Sequence, residues 1–208
     1  HLGHLAAEVL WIRLTRSGRQ DMKVCIGNRA RAAGFTLLEA LVVMALLGVM
    51  VSLAAPAMSA LRLQHRLQAE AEGLWSSLVL ARSEALRRQQ RVTVCARAQG
   101  PASACDAGGL WQQGWLVFAD ANGNAQLDAG EALLEAREAI PEPLRLAVSS
   151  TVKAYFAYSA EGRSATPQGA FMAGTWRFCR PGSDAGWQVV SNALGRPRLE
   201  KVKLPDCV

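Results

Sequence analysis

The chain has 208 residues, 50% of them hydrophobic and 19% charged, with 23 basic and 17 acidic side chains for a net charge of +6. Half the chain being apolar excludes wholesale disorder, 18 Gly and 8 Pro are too few for a low-complexity fibre, and five Cys are too few for a disulfide-dense miniprotein. The length allows one ordinary domain plus an appendage.

The charge is unevenly spread. Residues 1–34 hold six basic side chains against Glu8 and Asp21, a net of +4, while residues 35–208 hold 17 basic and 15 acidic side chains. The basic character is mostly a property of the N-terminal segment, and is weak support for nucleic-acid binding by the chain as a whole.

Phe35 to Ala55 reads FTLLEALVVMALLGVMVSLAA, 21 residues with one charge, Glu39. As a helix this run spans roughly 31 Å at about 1.5 Å per residue, enough to cross a hydrocarbon core. It is apolar on every face, which separates it from an ordinary buried helix. Arg29 and Arg31 precede it, so the expected orientation leaves the N-terminus in the cytoplasm and the bulk of the chain outside. A lone carboxylate in such a helix costs about 2.5–3.5 kcal/mol on insertion scales. Glu39 is therefore expected either to stay wet near the interface or to meet a cation from another subunit.

Gly34-Phe35-Thr36-Leu37-Leu38-Glu39 resembles the class III signal of type IV pilins and type II secretion pseudopilins. Gly48 and Pro56 fall where many pilins carry a glycine and a kinking proline. The resemblance implies that a prepilin peptidase cuts after Gly34 and that Phe35 becomes a methylated N-terminus. It also implies that Glu39 pairs with a neighbour's terminal amine during assembly. Cleavage before the apolar run leaves that run on the product, which can leave the bilayer only if sister helices cover it. A Sec signal is the competing reading: Ala55-Pro56-Ala57 passes as a cleavage box and would release a soluble protein starting near Met58. Glu39 inside the apolar region argues against it. The chain begins with His1 and its first methionine is Met22. Residues 22–34 then form a basic leader of ordinary prepilin size, and residues 1–21 read as translated upstream sequence or an artefact of the assigned start.

After Pro56, Leu67, Ala71, Leu74, Leu78, Ala81 and Ala85 recur at steps of three and four, the stripe of an amphipathic helix over residues 57–90. The rest reads as strands: 91–96, 115–118, 133–140, 144–148, 152–158, 175–179, 187–191 and 197–203, bounded by Gly, Pro, Asn and Ser clusters. The expected class is α+β. A long N-terminal helix, membrane-spanning over 35–56 and amphipathic over 57–90, packs on an antiparallel β-sheet domain over 91–208.

That domain resembles the FimT/GspH minor-pilin domain. The resemblance is carried by the short Cys95…Cys105 loop, Trp111-Gln112-Gln113-Gly114-Trp115-Leu116-Val117-Phe118, Asp120-Ala121-Asn122-Gly123-Asn124, Gly174-Thr175-Trp176-Arg177-Phe178-Cys179, and Val189 through Arg196.

Cys25 lies in the leader. The other four cysteines face the oxidising side and allow three pairings, of which Cys95–Cys105 and Cys179–Cys207 is favoured: the first would close one loop, the second would pin the C-terminus. Each would contribute around 3 kcal/mol. Free buried thiols are the alternative. No zinc spacing, G-x-S-x-G elbow or paired-acid signature occurs, and the only histidine outside residues 1–34 is His65 in the helix. No catalytic residues and no required cofactor are expected.

Two stretches raise binding questions. Counted from Asp120, the loop Asp120–Glu131 places Asp120, Asn122, Asn124, Asp128 and Glu131 at positions 1, 3, 5, 9 and 12 of an EF-hand-like calcium loop. Ala125 stands at position 6 where glycine is usual, and a strand, not a helix, precedes the loop. A hairpin loop built on Asn-Gly turn chemistry is the other reading. In the tail, Arg196, Arg198, Lys201 and Lys203 alternate along an expected strand and are read as sharing one face, a row able to meet successive DNA phosphates. Such charges also serve to block edge-strand pairing. Gly195-Arg196-Pro197-Arg198 matches a G-R-x-R motif of FimT-type pilins implicated in DNA uptake, so the resemblance implies non-specific binding of double-stranded DNA through Gly195, Arg196, Arg198, Lys201 and Lys203.

The sequence is thus identified as a minor type IV pilin, not an enzyme. Its expected partners are prepilin peptidase, other pilins, the inner membrane and DNA. It would sit as a single-pass inner-membrane precursor and then in the pilus. The runner-up is a minor pseudopilin of type II secretion.

Overall fold

The computed structural model describes residues 35–100 and 104–207; within it, residues 53–57 are described by their backbone alone. The expected leader, with Gly34 and Cys25, lies outside the described residues. The described residues fall into two compact units, divided between Leu47 and Gly48.

Helix α1 runs Leu37–Arg88. Its start is written in Thr36-x-x-Glu39, the pattern of a capping box: Thr36 Oγ1 accepts the Glu39 N–H at 3.2 Å, and its carbonyl accepts the Ala40 N–H at 3.1 Å. The Glu39 carboxylate also sits at the positive end of the helix dipole. Among the described residues no helix is long and apolar enough to cross a membrane. The 21-residue length of the apolar run Phe35–Ala55 is read from the sequence.

In the second unit, the predicted stripe is the buried face. Leu67, Ala71, Leu74, Leu78, Ala81 and Ala85 are all at most 2% exposed. The helix ends where Gln89 adopts a left-handed φ of 55°. Arg87 and Arg88 in its last turn both bond Glu84 and hold that carboxyl down to about 2.

Eight strands follow: β1 Val92–Ala96, β2 Trp115–Ala119, β3 Leu133–Ala136, β4 Arg145–Val148, β5 Tyr155–Tyr158, β6 Gly174–Cys179, β7 Ala185–Ser191 and β8 Pro197–Lys203. The antiparallel domain divides into two four-stranded sheets, in the orders β3-β2-β1-β5 and β4-β6-β7-β8. One core unites the helix stripe with Val94, Trp115, Val117 and Phe156 of the first sheet and Trp176, Phe178 and Val189 of the second. Ser77 joins helix to sheet, donating to the Gly73 carbonyl at 3.0 Å and accepting the Trp115 indole N–H at 2.9 Å.

Strands β1 and β2 form where expected, and every residue of both is buried. Both lie inside their sheet, and their outer face is covered by a second small cluster. Cys95, Leu116 and Phe118 pack there with Cys105 of the disulfide loop, Leu127 of the acidic loop and Tyr155 of β5. Residues 150–152, expected to lie on or beside a strand, form a 3₁₀ turn.

The Trp111–Phe118 motif has a mechanical reading. Trp111–Gln113 is one 3₁₀ turn whose Gln112 spans the two sheets: its amide donates to the carbonyls of Ile140 and Leu144, and its oxygen accepts the Leu146 N–H. Gly114 has φ 95°, and a methyl carbon there would lie 2.2 Å from the Arg137 carbonyl oxygen, so the turn into β2 requires glycine.

Candidate functional site

At the N-terminal end, Phe35 is 78% exposed and Glu39 is exposed in the first turn of α1. The Glu39 carboxylate makes no ion pair among the described residues.

The cysteines join as Cys95–Cys105 and Cys179–Cys207, with sequence separations of 10 and 28. On loop-closure entropy the longer bridge constrains the unfolded chain more, roughly 3.5 kcal/mol against about 2.7. It returns the C-terminus to β6 just beyond the basic strand, where the Leu204 N–H also reaches the Asp184 carbonyl.

The basic segment is a hairpin of β7 and β8, closed by residues 192–196 after the Ser191↔Pro197 pair. Asn192 organises the turn. Its carbonyl accepts the Gly195 N–H at 2.8 Å, and its side-chain oxygen accepts the Leu194 N–H at 3.1 Å. The turn is fastened from outside by Ser164, whose hydroxyl donates to the Asn192 carbonyl, and by Trp75 of α1, whose indole donates to the Pro197 carbonyl at 3.2 Å. Gly195 is buried with φ 69°, against Tyr158 and the Gly162 carbonyl. It seats the turn and is not a contact surface. Pro197 opens the strand, a position that suits its missing N–H.

Arg196, Arg198, Lys201 and Lys203 are all exposed, but they do not share a face. The β7–β8 register is continuous from Ala185↔Lys203 to Ser191↔Pro197, with no bulge to reset parity. Arg198 and Lys201 are three residues apart, an odd step, so period-two alternation sends them to opposite sides. Lys201 and Lys203 lie on the side of Leu199, which packs toward the core. Arg198 lies on the outer face, two residues from Glu200, with which it forms a loose exposed pair at 3.8 Å. Pairing through β7 puts Arg177 and Arg145 on that same outer face, through Arg177↔Gln188↔Glu200 and Arg145↔Cys179. Arg177 is legible in the sequence as the odd residue of Thr-Trp-Arg-Phe, opposite in parity to Trp176 and Phe178. Only the pairing order shows that its face is continuous with that of Arg198.

The acidic loop leaves the end of β2. Asp120 is 1% exposed; its Oδ2 accepts the Thr93 hydroxyl at 2.7 Å and the Ala125 N–H at 3.1 Å, while its Oδ1 is buried with no hydrogen-bond partner. Asn122 and Asn124 each donate a side-chain N–H to Asp128 Oδ2 at 2.7 Å, which holds the Asp128 carboxyl below the usual range. Glu131 closes the loop by accepting the N–H groups of Ala121 and Asp128.

A family model described as type II transport protein GspH matches residues 70–195, and one for the prokaryotic N-terminal methylation motif matches residues 29–55. The pilin-like protein PilA1 of Thermus thermophilus is 39% identical over 98 residues, 47% of this chain and 54% of its own length, so the chain spans about half of that relative. Among solved structures, the type IV minor pilin FimU of Pseudomonas aeruginosa is 23% identical with a TM-score of 0.49, covering 66% of this chain and 90% of that one. The minor pseudopilin EpsH from the type 2 secretion system of Vibrio cholerae is 14% identical with a TM-score of 0.46, covering 65% and 96%.

Proposed function

The chain belongs to the GspH family of type II transport proteins, and on that premise we propose that it is a minor type IV pilin. It is made as a single-pass membrane precursor, cut between Gly34 and Phe35, and assembled through Glu39 with neighbouring pilins. Its role is structural, without catalysis. The observation that carries this reading is the junction itself: a cuttable Gly34-Phe35 step, a capped helix start, and a lone carboxylate within an apolar run that stays on the product. The match of the methylation-motif model to residues 29–55 supports it.

N-terminal sequencing of the protein from cells holding a prepilin peptidase is expected to begin at N-methylated Phe35. Glu39→Leu should still be cut and remain in the membrane, yet disappear from sheared filaments. A mature start near Met58 would sink the proposal in favour of a Sec-released protein.

We assign non-specific contact with extracellular double-stranded DNA to Arg196 in the turn and Arg198 in β8, extended by Arg177 on the sheet face of Arg198. In mobility shifts across a salt series, Arg196→Gln/Arg198→Gln is expected to lower the slope of log K against log salt by about two. Lys201→Gln/Lys203→Gln, on the other side of the strand, is expected to leave it nearly unchanged. Absence of binding by the wild-type protein at low salt would favour the second reading, a minor pseudopilin of type II secretion. That reading draws on the family's own description.

A further inference from the structure

Three arginines of the second unit line one cleft, and no acid lines it with them. Its walls are Ser59, Ala60, Arg62, Leu63 and Arg66 of α1 and Arg180, the residue that follows β6. Arg62 and Arg66 stand one turn apart and exposed, as on any solvated helix face. Arg180 is different. It is half-buried, and it enters from a distant stretch of chain beside the Cys179–Cys207 bridge. Folding, and not helix periodicity, adds the third guanidinium.

Crowding cations without a counter-charge is unfavourable, because like charges repel. Other arginines of this chain meet carboxylates: Arg87 and Arg88 meet Glu84, Arg97 meets Glu138, and Arg137 meets Glu135. Arg62, Arg66 and Arg180 form no ion pair among the described residues. Glu70, one turn beyond Arg66, attracts both Arg66 and Arg137 without pairing with either. Guanidinium forks approaching from two directions suit the free oxygens of a phosphate diester.

The position of the cleft along α1 selects the source of that phosphate. The apolar run ends at Ala55, and Arg62 and Arg66 follow about two and three turns later in the same helix. At about 1.5 Å per residue they lie roughly 10 and 16 Å beyond the end of the run. The headgroup layer occupies about the first 5–8 Å outside the hydrocarbon. Helix side chains lean toward the N-terminus, here toward the bilayer, so Arg62 reaches into that layer and Arg66 reaches its outer margin. Cations on this side of a span also oppose the orientation that Arg29 and Arg31 set. An anionic ligand on the outer side accounts for their presence there.

We infer that this cleft binds the phosphate diester of an anionic phospholipid in the outer-facing leaflet, with Arg62, Arg66 and Arg180 as donors and Ala60 and Leu63 facing the glycerol. The inference rests on the membrane reading proposed above. A lipid held there fixes the depth and rotation of α1 in the bilayer before the chain joins a filament.

The test places the full chain in detergent micelles with equal amounts of phosphatidylglycerol and phosphatidylcholine, and counts bound lipids by native mass spectrometry. The wild-type chain is expected to keep phosphatidylglycerol over phosphatidylcholine by at least about tenfold, since each arginine at an anionic surface contributes about fivefold. Arg62→Gln/Arg66→Gln alters two exposed side chains and should fold normally while losing most of that preference. Arg180→Gln should weaken it about fivefold. Lys201→Gln/Lys203→Gln removes the same charge elsewhere and should leave it intact. Equal retention of the two lipids by the wild-type chain would overturn the inference. So would an undiminished preference in Arg180→Gln, an equal loss in the lysine variant, or displacement of the lipid by inorganic phosphate at matched ionic strength, which would make the ligand a free anion. Loss of Arg62→Gln/Arg66→Gln from sheared filaments with its lipid preference intact would give the cleft to a neighbour's carboxylates, and overturn it too. The membrane reading is checked apart. A wild-type chain that alkaline carbonate strips from membranes sinks that reading and this inference with it, whereas a chain that stays and shows no lipid preference sinks this inference alone.

Discussion

Trp176→Ala is expected to lower the unfolding free energy of the full chain by about 3–5 kcal/mol, the range for deleting a fully buried large aromatic side chain. Trp176 is 0% exposed and meets two other rings edge-on: Trp111 at 5.6 Å between centroids and Phe156 at 5.4 Å. These contacts join β6 of the second sheet to β5 of the first and to the 3₁₀ turn before β2, so truncation opens a cavity where the sheets meet. Trp176→Phe should cost clearly less. It keeps an aromatic ring, and the indole N–H it removes is buried without a hydrogen-bond partner. Urea unfolding followed by far-UV circular dichroism would measure both, with the change read in the midpoint at constant m. A loss below about 1 kcal/mol in Trp176→Ala would refute the claim that this residue couples the sheets.

Gly195→Ala should destabilise by about 2–3 kcal/mol, from two sources that add. The backbone holds φ at 69°, where alanine is strained, and a methyl carbon would lie 2.6 Å from the Gly162 carbonyl oxygen and 2.9 Å from Tyr158 Cε1. Gly182 is the control. It has φ 76° but open space around the added carbon, so Gly182→Ala carries only the backbone cost of about 1 kcal/mol. Equal losses at the two sites, measured by the same urea titrations, would show that the packing against Tyr158 does not matter. The comparison also separates the parts of the Gly195–Arg198 motif. The glycine places the turn, and the arginines alone present charge.

How much is readable from the sequence varies with the range of the interaction. The α1 stripe from Leu67 to Ala85 is legible residue for residue, because a helix face depends only on steps of three and four along one segment. Strand β8 is legible at its true bounds for the same local reason. The disulfide partners follow from which cysteines flank one loop and which lie near the end. Reading fails where a second segment decides the environment. β1 and β2 are buried on both sides because distant loops cover their outer face. Within β8, Arg198 stands on one face and Lys201 and Lys203 on the other because the step from Arg198 to Lys201 is odd, which breaks the alternation that a single shared face needs.

What the sequence by itself determined is the apolar run with its lone acid, the helix stripe and the α+β class, all of which rest on spacing within a single stretch of chain. What only the tertiary structure decided is which charges stand together and which polar atoms go unpaired. Arg177 joins Arg198 only through the β6-β7-β8 pairing order, and Asp120 Oδ1 is orphaned only because β2 and the folded loop exclude water from it. Both depend on contacts between segments far apart in the chain, and no local periodicity encodes those.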